Sequence, residues 1–217
     1  MITFETLRDP LRSVDWNDVE AVDSATRKIF AHMAGGRYLL RRGLVAIRQD
    51  PRLMALCEHY DILDKLVLFD DPESGIRVRL HIFGPGYHDR PHNHRWTYSS
   101  HILRGEYRHR IYSPVDLHTD LDPATLHAMH VRQEQVGVSY TLHHSAIHAV
   151  VAEPGTVSIV VRGPAMADRF LVMDNATGQA WWQYGAARET PEVAYRKRMT
   201  RQHFEGLVSS LTDWNVI

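Results

Sequence analysis

Residues 86–94 read Gly86-Tyr-His-Asp-Arg-Pro-His92-Asn-His94, and a further histidine, His148, follows later in the chain. A His-x-His pair on an extended segment places two imidazoles side by side, because alternate residues of a strand face the same way. Twelve of the 15 histidines lie between His81 and His148, which is far more than solubility requires. A third imidazole from a distant strand would complete a set of three metal ligands with open positions for substrate.

The residues around this segment have the pattern of β-strands. Residues 76–83 alternate, so that Arg77, Arg79 and His81 share one face while Val78 and Leu80 share the other. Residues 70–75 predict a hairpin turn before this strand. Further strands are predicted at 98–103, 107–112, 127–133, 139–142, 148–152, 156–162 and 170–173. Many short strands separated by turn signals predict an antiparallel sandwich or barrel.

Both ends of the chain have helical spacing instead. Apolar residues in 16–60 predict one helix that ends at Gly35-Gly36 and two more over 38–47 and 52–60. Thr190 followed by Pro191 predicts the start of a helix over 192–211. We therefore expect a single domain over 1–217, with N-terminal helices in 1–60, a β-barrel in 61–175 and a C-terminal helix in 186–217.

Composition excludes several classes of protein. The net charge of −1 argues against nucleic acid as a partner, because phosphate binding needs a basic face. No run of 18 apolar residues is present, which argues against a membrane span, and the N-terminus lacks the pattern of a signal peptide. We expect a cytoplasmic protein. The single cysteine, Cys57, lies in an apolar run and is interpreted as a small core residue.

Two spaced motifs give the chain a family resemblance. Gly86, His92, His94 and Gly105 have the spacing of the first motif of the cupin superfamily, and Gly137 and His148 have that of the second. His143 and Ser145 stand where the second motif has Pro and Gly. The resemblance covers residues 75–163 and implies a cupin-type antiparallel β-barrel or jelly roll, with a metal inside one end. It also implies a homodimer, since cupins are often dimers.

The resemblance implies His92, His94 and His148 as the metal ligands. The position of the family's acidic ligand is occupied by Tyr98. This three-His arrangement resembles that of the cysteine dioxygenase-like (thiol dioxygenase) cupins and of the diketone dioxygenases, which use Fe(II). Three neutral nitrogens leave the charge of a dication uncompensated, which favours an anionic substrate or dioxygen as a further ligand. Imidazole ligands alone do not exclude Zn, Ni, Mn, Co or Cu.

Several side chains are candidates for the walls of the pocket. The strand pattern leaves two placements for Arg79 and His81: in solvent, or inside, where an arginine fork would anchor a substrate carboxylate. Arg162 and Arg95 are similar candidates, and Trp96 is a candidate wall. Tyr98 and His143 are candidate acid/base groups, although Tyr98 could equally pack without a chemical role.

The other histidines are given different roles. His101 lies three residues after Tyr98 and is expected on the opposite face of its strand. Four histidines are expected to be solvated or paired: His109, His118, His127 and His130. His144 is the spare ligand should His148 not bind the metal.

The leading hypothesis is an Fe(II)-dependent dioxygenase acting with O₂ on a small anionic molecule. The alternative is a non-redox cupin enzyme, either a lyase, an isomerase or a decarboxylase, with the metal as Lewis acid. A third hypothesis is a small-molecule-binding cupin without catalysis. No nicotinamide or flavin fingerprint is present, because the glycines at 84 and 86 precede no helix of the required kind.

Overall fold

The computed structural model describes residues 3–114 and 122–217, apart from the side chain of Ala187. Six α-helices flank the β-structure within these residues: α1 Phe4–Arg12, α2 Val19–Gly36, α3 Tyr38–Gln49, α4 Pro51–Leu56, α5 Pro191–Arg196 and α6 Arg201–Asp213. No helix of the described residues is long and apolar enough to cross a membrane.

Eleven strands run between and beyond the helices in the described residues: β1 Glu58–Tyr60, β2 Leu63–Asp71, β3 Ile76–Phe83, β4 Tyr98–Arg104, β5 Glu106–Tyr112, β6 Ala128–Gln135, β7 Ser139–Leu142, β8 His148–Ala152, β9 Val157–Arg162, β10 Arg169–Asp174 and β11 Gln179–Tyr184. All of their pairings are antiparallel. A six-stranded sheet has the order β1-β2-β3-β9-β4-β7, a three-stranded sheet has the order β6-β5-β8, and β10 pairs with β11.

Local sequence explains where the helices begin and end. Asp18 caps α2 by accepting hydrogen bonds from the backbone N–H groups of Glu20 and Ala21. The helix ends at Gly36, and Arg37 follows with a left-handed φ of 54°. Asp50 caps α4, and Pro51 occupies its first turn, where the missing N–H costs nothing.

The large sheet separates two apolar cores. On one face, Val78, Leu80 and Ile82 of β3 pack against the helices, together with Phe30 of α2 and Phe204 of α6. On the other face, a second core lies between the facing sheets and is rich in aromatic rings: Phe83, Tyr87, Tyr98, Tyr107 and Tyr140. Burial of the first core fixes which face of β3 points inward, because the side chains of a strand alternate.

The predicted fold class, mainly β with helices at both ends, is confirmed. The strands form facing sheets, as in a jelly roll, and within the described residues they do not close into a continuous barrel. The predicted bounds of β3, β7 and β8 agree with the structure, and Cys57 is buried as expected.

Two element predictions are wrong, and two elements were not predicted. Residues 58–60 form β1 and not the end of a helix, because they pair with β2 and His59 N–H donates to the carbonyl of Lys197. The C-terminal helix is two helices, since Thr200 caps α6 by accepting from the N–H of His203. Strand β11, which pairs along all of β10, and helix α1 were not predicted.

Candidate metal centre

The backbone of His92 joins two parts of the smaller β-structure. Its N–H donates to the carbonyl of His148 at 2.9 Å, and the N–H of His148 donates back to His92 at 2.8 Å. His92 also bridges to Val172 of β10, so this single residue lies between β8 and β10. The pairing brings His92 directly beside His148 although 55 residues separate them in the sequence.

Asn93 explains why the two flanking histidines face the same way. Its side chain is buried, and its Oδ1 accepts the N–H of Leu171 at 2.7 Å. The N–H of His94 donates to the carbonyl of His144 at 3.1 Å. With Asn93 held toward β10, the alternation of an extended chain turns the side chains of His92 and His94 to the other side.

The three imidazoles converge on one point. One ring nitrogen from each of His92, His94 and His148 lies within 4.8 Å of the others. The Nε2 atoms of His94 and His148 are 2.9 Å apart, and the His92 ring centroid is 4.7 Å from that of His94 and 4.6 Å from that of His148. Two ring nitrogens at this separation are close enough to bind a single ion together.

Burial keeps the imidazoles of His94 and His148 neutral. It lowers the pKa of His94 well below the ordinary value, and the neighbouring His92 and Lys65 lower it further. The pKa of His148 is lowered in the same way, by burial first and then by His92 and His94. Metal ligation requires unprotonated imidazole, so His94 and His148 meet this condition near neutral pH.

Hydrogen bonds at the outer ring edges determine the tautomers. His148 Nδ1 lies 3.0 Å from His109 Nε2, and His109 Nδ1 lies 3.2 Å from Glu134 Oε1. A carboxylate accepts, so His109 donates from Nδ1 and accepts at Nε2 from His148 Nδ1–H. His92 Nδ1 donates to the carbonyl of Arg90 at 2.9 Å. Both ligands are thereby left with a free lone pair on Nε2.

These residues fit a divalent transition metal. Three imidazole nitrogens, two of them on rings whose outer edges are hydrogen-bonded, are a donor set suited to Fe(II), Zn(II), Ni(II) or Co(II). Among the described residues the cluster contains no carboxylate. The carboxylate of Asp89 lies at the other edge of the His92 ring, 3.5 Å from Nδ1.

Tyr98 lies beside the cluster. Its hydroxyl is 3.3 Å from His148 Nε2, and its ring meets the His94 ring edge-on at 4.8 Å. Burial raises the pKa of Tyr98 well above the ordinary value, so the phenol keeps its proton. Trp96 stacks on His94 at 4.6 Å, and the guanidinium of Arg162 lies 5.5 Å from the centroid of the Trp96 ring.

Arg79 and His81 point into the space between the sheets. They alternate with Val78, Leu80 and Ile82, which pack on the helices, so they occupy the opposite face of β3. Arg162 is the partner of Tyr98 in the β4–β9 register and shares this inner face. The structure therefore corresponds to the inward placement of Arg79 and His81.

Three donors on this face are buried without a hydrogen-bond partner among the described residues: Nε of Arg79, Nε2 of His81 and Nε of Arg162. Arg77, on the same face, is paired with Asp70 at 2.6 Å. Burial lowers the pKa values of Arg79 and Arg162; Glu58 partly offsets the effect at Arg79, and Arg79 adds to it at Arg162. Arg162 Nη1 donates to the carbonyls of Gly75 and Gly163, but the Nε–H groups of both arginines are buried without a partner in the described residues. Such unmet donors cost free energy, which an anionic ligand would offset.

Lysine and glutamate groups form the edge of this face. Lys65 pairs with His81 in the β2–β3 register, and its Nζ is 3.6 Å from Glu58 Oε2. Lys197 Nζ binds the same carboxylate at 2.6 Å and Glu189 at 2.7 Å. Each lysine thus has a carboxylate within ion-pair distance, whereas Glu58 and Asp70 act on Arg79 and Arg162 only at longer range.

Other sequence candidates lie away from the cluster. His143 belongs to a turn, where its Nδ1 bonds to Ser145 Oγ at 2.8 Å and its ring packs on His144 at 4.1 Å. His101 stacks on Phe30 on the helix-packed face. Arg95 donates to the carbonyl of Ala167. The structure does not bring these side chains to the three imidazoles.

Sequence reasoning missed the role of His109. It was expected to be solvated or paired, and it is paired but only 1% exposed. The available signal was its position between Tyr107 and Ile111 on alternate residues of β5, which share the inner face. Glu134 gave no such signal, because its strand β6 is otherwise exposed. His127 and His130 are exposed, and His118 lies outside the described residues.

Comparison with known proteins gives structural neighbours only. No protein-family model and no curated protein sequence matches the chain. It is similar to KdgF from Halomonas sp., with 16% identity and a TM-score of 0.38 over 48% of this chain and 82% of that one. It is also similar to an RmlC-like cupin from Shewanella frigidimarina, with 19% identity and a TM-score of 0.38 over 52% of this chain and 86% of that one.

A third neighbour is an L-ribose isomerase from Cellulomonas parahominis, with 18% identity and a TM-score of 0.38 over 49% of this chain and 62% of that one. At these sequence identities and TM-scores, the similarity does not indicate a substrate or a reaction for this chain.

Proposed function

We propose that this chain is a metal-dependent, cupin-type enzyme that acts on a small anionic molecule. The supporting observation is a juxtaposition on the inner face of the large sheet. Three imidazoles converge beside this face, and Arg79 and Arg162 on it have no carboxylate within ion-pair distance among the described residues. The charge of Arg79 is close enough to lower the pKa of His94, which supports a ligand that spans both groups.

His92, His94 and His148 would hold the metal. When bound, Fe(II) would supply redox chemistry with O₂, whereas Zn(II), Ni(II), Mn(II) or Co(II) would supply Lewis acidity.

The chain's own residues divide the remaining tasks. The Nε–H groups of Arg79 and Arg162, which have no partner in the described residues, would bind a carboxylate of the substrate, and His81 Nε2 would add a neutral hydrogen bond. Trp96 packs against the cluster by stacking on His94. The buried aromatic core around Tyr107 and Tyr140 would limit the access of water from that side.

One proposed reaction class is oxygenation. The donor set holds no carboxylate among the described residues, so a dication would keep its full charge and would favour an anionic substrate or dioxygen. This observation supports the Fe(II)-dependent dioxygenase. The similarity to thiol dioxygenases stays a prediction from the motif spacing.

A non-redox reaction has its own support, which makes it an equal alternative. The hydroxyl of Tyr98 lies 3.3 Å from His148 Nε2, beside the position where the three lone pairs meet. A protonated phenol there can donate a hydrogen bond or a proton at the reacting atoms, as a lyase, isomerase or decarboxylase requires.

Turnover with and without O₂ separates the two classes. Protein loaded with Fe(II), Ni(II) or Zn(II) would be assayed on small thiols, diketones and carboxylates, with O₂ consumption and product followed together. The oxygenase predicts Fe(II)-dependent O₂ uptake, and the alternative predicts anaerobic turnover with a redox-inactive metal. His94→Ala should abolish either activity, and the exposed His130→Ala should not. Specific ligand binding without turnover under every condition would contradict an enzyme and support a binding protein.

A further inference from the structure

We propose a second metal site, formed by His59, Asp64 and His203, that binds zinc and stabilises the attachment of helix α6 to the sheet. His59 Nδ1 lies 2.6 Å from Asp64 Oδ1, and His203 Nε2 lies 2.9 Å from the same oxygen. The two imidazole rings are 4.0 Å apart, and the three donor atoms all lie within 4.8 Å of one another. The donors come from three elements, β1, β2 and α6.

This cluster is separate from the three-imidazole centre. Asp64 is the partner of Ile82, whose side chain packs in the helix-covered core. The next residue, Lys65, is the partner of His81, which faces the space between the sheets. The sheet therefore lies between the two clusters, and an ion in one would not contact the ligands of the other.

The donor chemistry suits zinc. Two imidazole nitrogens and one carboxylate oxygen are ligands that Zn(II) accepts, and a fourth position would remain for water. Zinc bonds of about 2.0–2.2 Å in a tetrahedron place the donors roughly 3.3 Å apart. The observed separations of 2.6 and 2.9 Å are somewhat shorter, so the rings would need to move outward by less than an ångström. The side chains of His59 and His203 are 37% and 36% exposed, which gives them room to do so.

The site would reinforce an existing junction. The N–H of His59 donates to the carbonyl of Lys197 at 2.8 Å. The backbones of Glu58 and Arg198 form an antiparallel β-bridge. The C-terminal segment therefore already lies along β1, and His203 follows in the first turn of α6. A metal that binds both His59 and His203 would stabilise this attachment in the folded state only, and so would raise the melting temperature.

Zinc stoichiometry of the full chain tests the site. The wild type, equilibrated with Zn(II) and desalted, is expected to hold two zinc ions per chain by mass spectrometry, and His203→Gln to hold one. Gln was chosen because its amide can still donate to Asp64, so a plain hydrogen-bonded junction would survive the substitution. The exposed His130→Ala is the matched control and should keep both ions.

The variant His92→Ala/His94→Ala isolates the second site, because it leaves one imidazole at the first. We expect it to bind one zinc ion and to melt at a higher temperature with Zn(II) than without. Addition of His203→Gln should remove both effects. Equal zinc content with and without His203→Gln, or a folded double variant that binds no zinc, would overturn the second site while leaving the proposed enzyme untouched.

Discussion

The protons on His148 and His92 decide which nitrogens can bind a metal. His148 depends on a buried relay through His109 to Glu134, whose side chain is fully buried and also 3.3 Å from Arg132 Nε. Neither residue contacts the point where the three lone pairs meet. They act by holding His148 in the tautomer and the ring orientation that ligation needs.

Substitution of the relay carboxylate should therefore weaken the metal centre. We expect Glu134→Gln to reduce metal affinity by about 10- to 100-fold, because the amide no longer fixes the proton on His109 Nδ1. Competition with a chelator of known affinity measures the change. Glu153→Gln, at an exposed carboxylate, is the control. An affinity equal to that of the wild type would show that the relay does not orient His148.

Arg79 should show opposite effects on binding and on stability. In Arg79→Met we expect the affinity for small carboxylates, measured by calorimetric titration, to fall by about 10-fold or more, because the charged fork is lost. The free energy of unfolding in urea should rise by about 1 kcal/mol or more, because a buried charge without a carboxylate partner in the described residues is removed.

Arg108→Met, at an exposed position of β5, should change neither quantity. A loss of stability in Arg79→Met together with unchanged carboxylate binding would assign Arg79 a structural role.

At the scale of the element, the turn between β4 and β5 depends on a glycine. Gly105 has a φ of 70°, and a Cβ atom there would lie 2.9 Å from the Cα of Thr156. We expect Gly105→Ala to destabilise the fold by about 1–3 kcal/mol, measured by urea unfolding. Gly206→Ala is the matched control, since nothing lies within 4 Å of a Cβ in helix α6, and it should be neutral or stabilising.

Some elements could be predicted from sequence because a local pattern determines them. The alternation of residues 76–83 matches β3, and the Thr190-Pro191 pair marks the start of α5, where Thr190 accepts from the N–H of Val193. Strand β1 could not be predicted in this way. Residues 58–60 follow an apolar helical run, and only their pairing with β2 makes them extended.

The candidate site was predictable to the extent that its residues share strand positions. Spacing alone pointed to His92, His94 and His148, which the structure brings together. The inward placement of Arg79 was ambiguous, because alternation does not tell which face of a strand is covered until the helices are in place. The relay to Glu134 depends on strand pairing between β5 and β6, and no spacing in the sequence reveals it.

At the scale of the whole molecule, acid should weaken the attachment of helix α1 to the sheet. Arg12 donates to both carboxylate oxygens of Asp71, at 2.7 and 2.8 Å, and so holds the pKa of Asp71 below its ordinary value of 3.8. The folded state therefore binds this proton more weakly than the unfolded state. The contribution of the pair is present above about pH 4 and is lost as the pH falls further.

We expect Asp71→Asn to lower the free energy of unfolding at pH 7 and to have a progressively smaller effect below about pH 4. Urea unfolding over this pH range measures the difference from the wild type. Asp168→Asn, at an exposed carboxylate, should have little effect at any pH. A difference between Asp71→Asn and the wild type that does not change with pH would contradict the assignment.

The homodimer stays a prediction, and sedimentation velocity tests it.

The central claim is that His92, His94 and His148 bind one metal ion, and anaerobic loading with Fe(II) tests it most directly. In a His203→Gln background, which removes the second site, desalted protein should retain one iron per chain. Each of His92→Ala, His94→Ala and His148→Ala should reduce that content to a small fraction, and the exposed His130→Ala should not. Full iron content in folded His94→Ala protein, or no iron in the folded parent, would contradict the account.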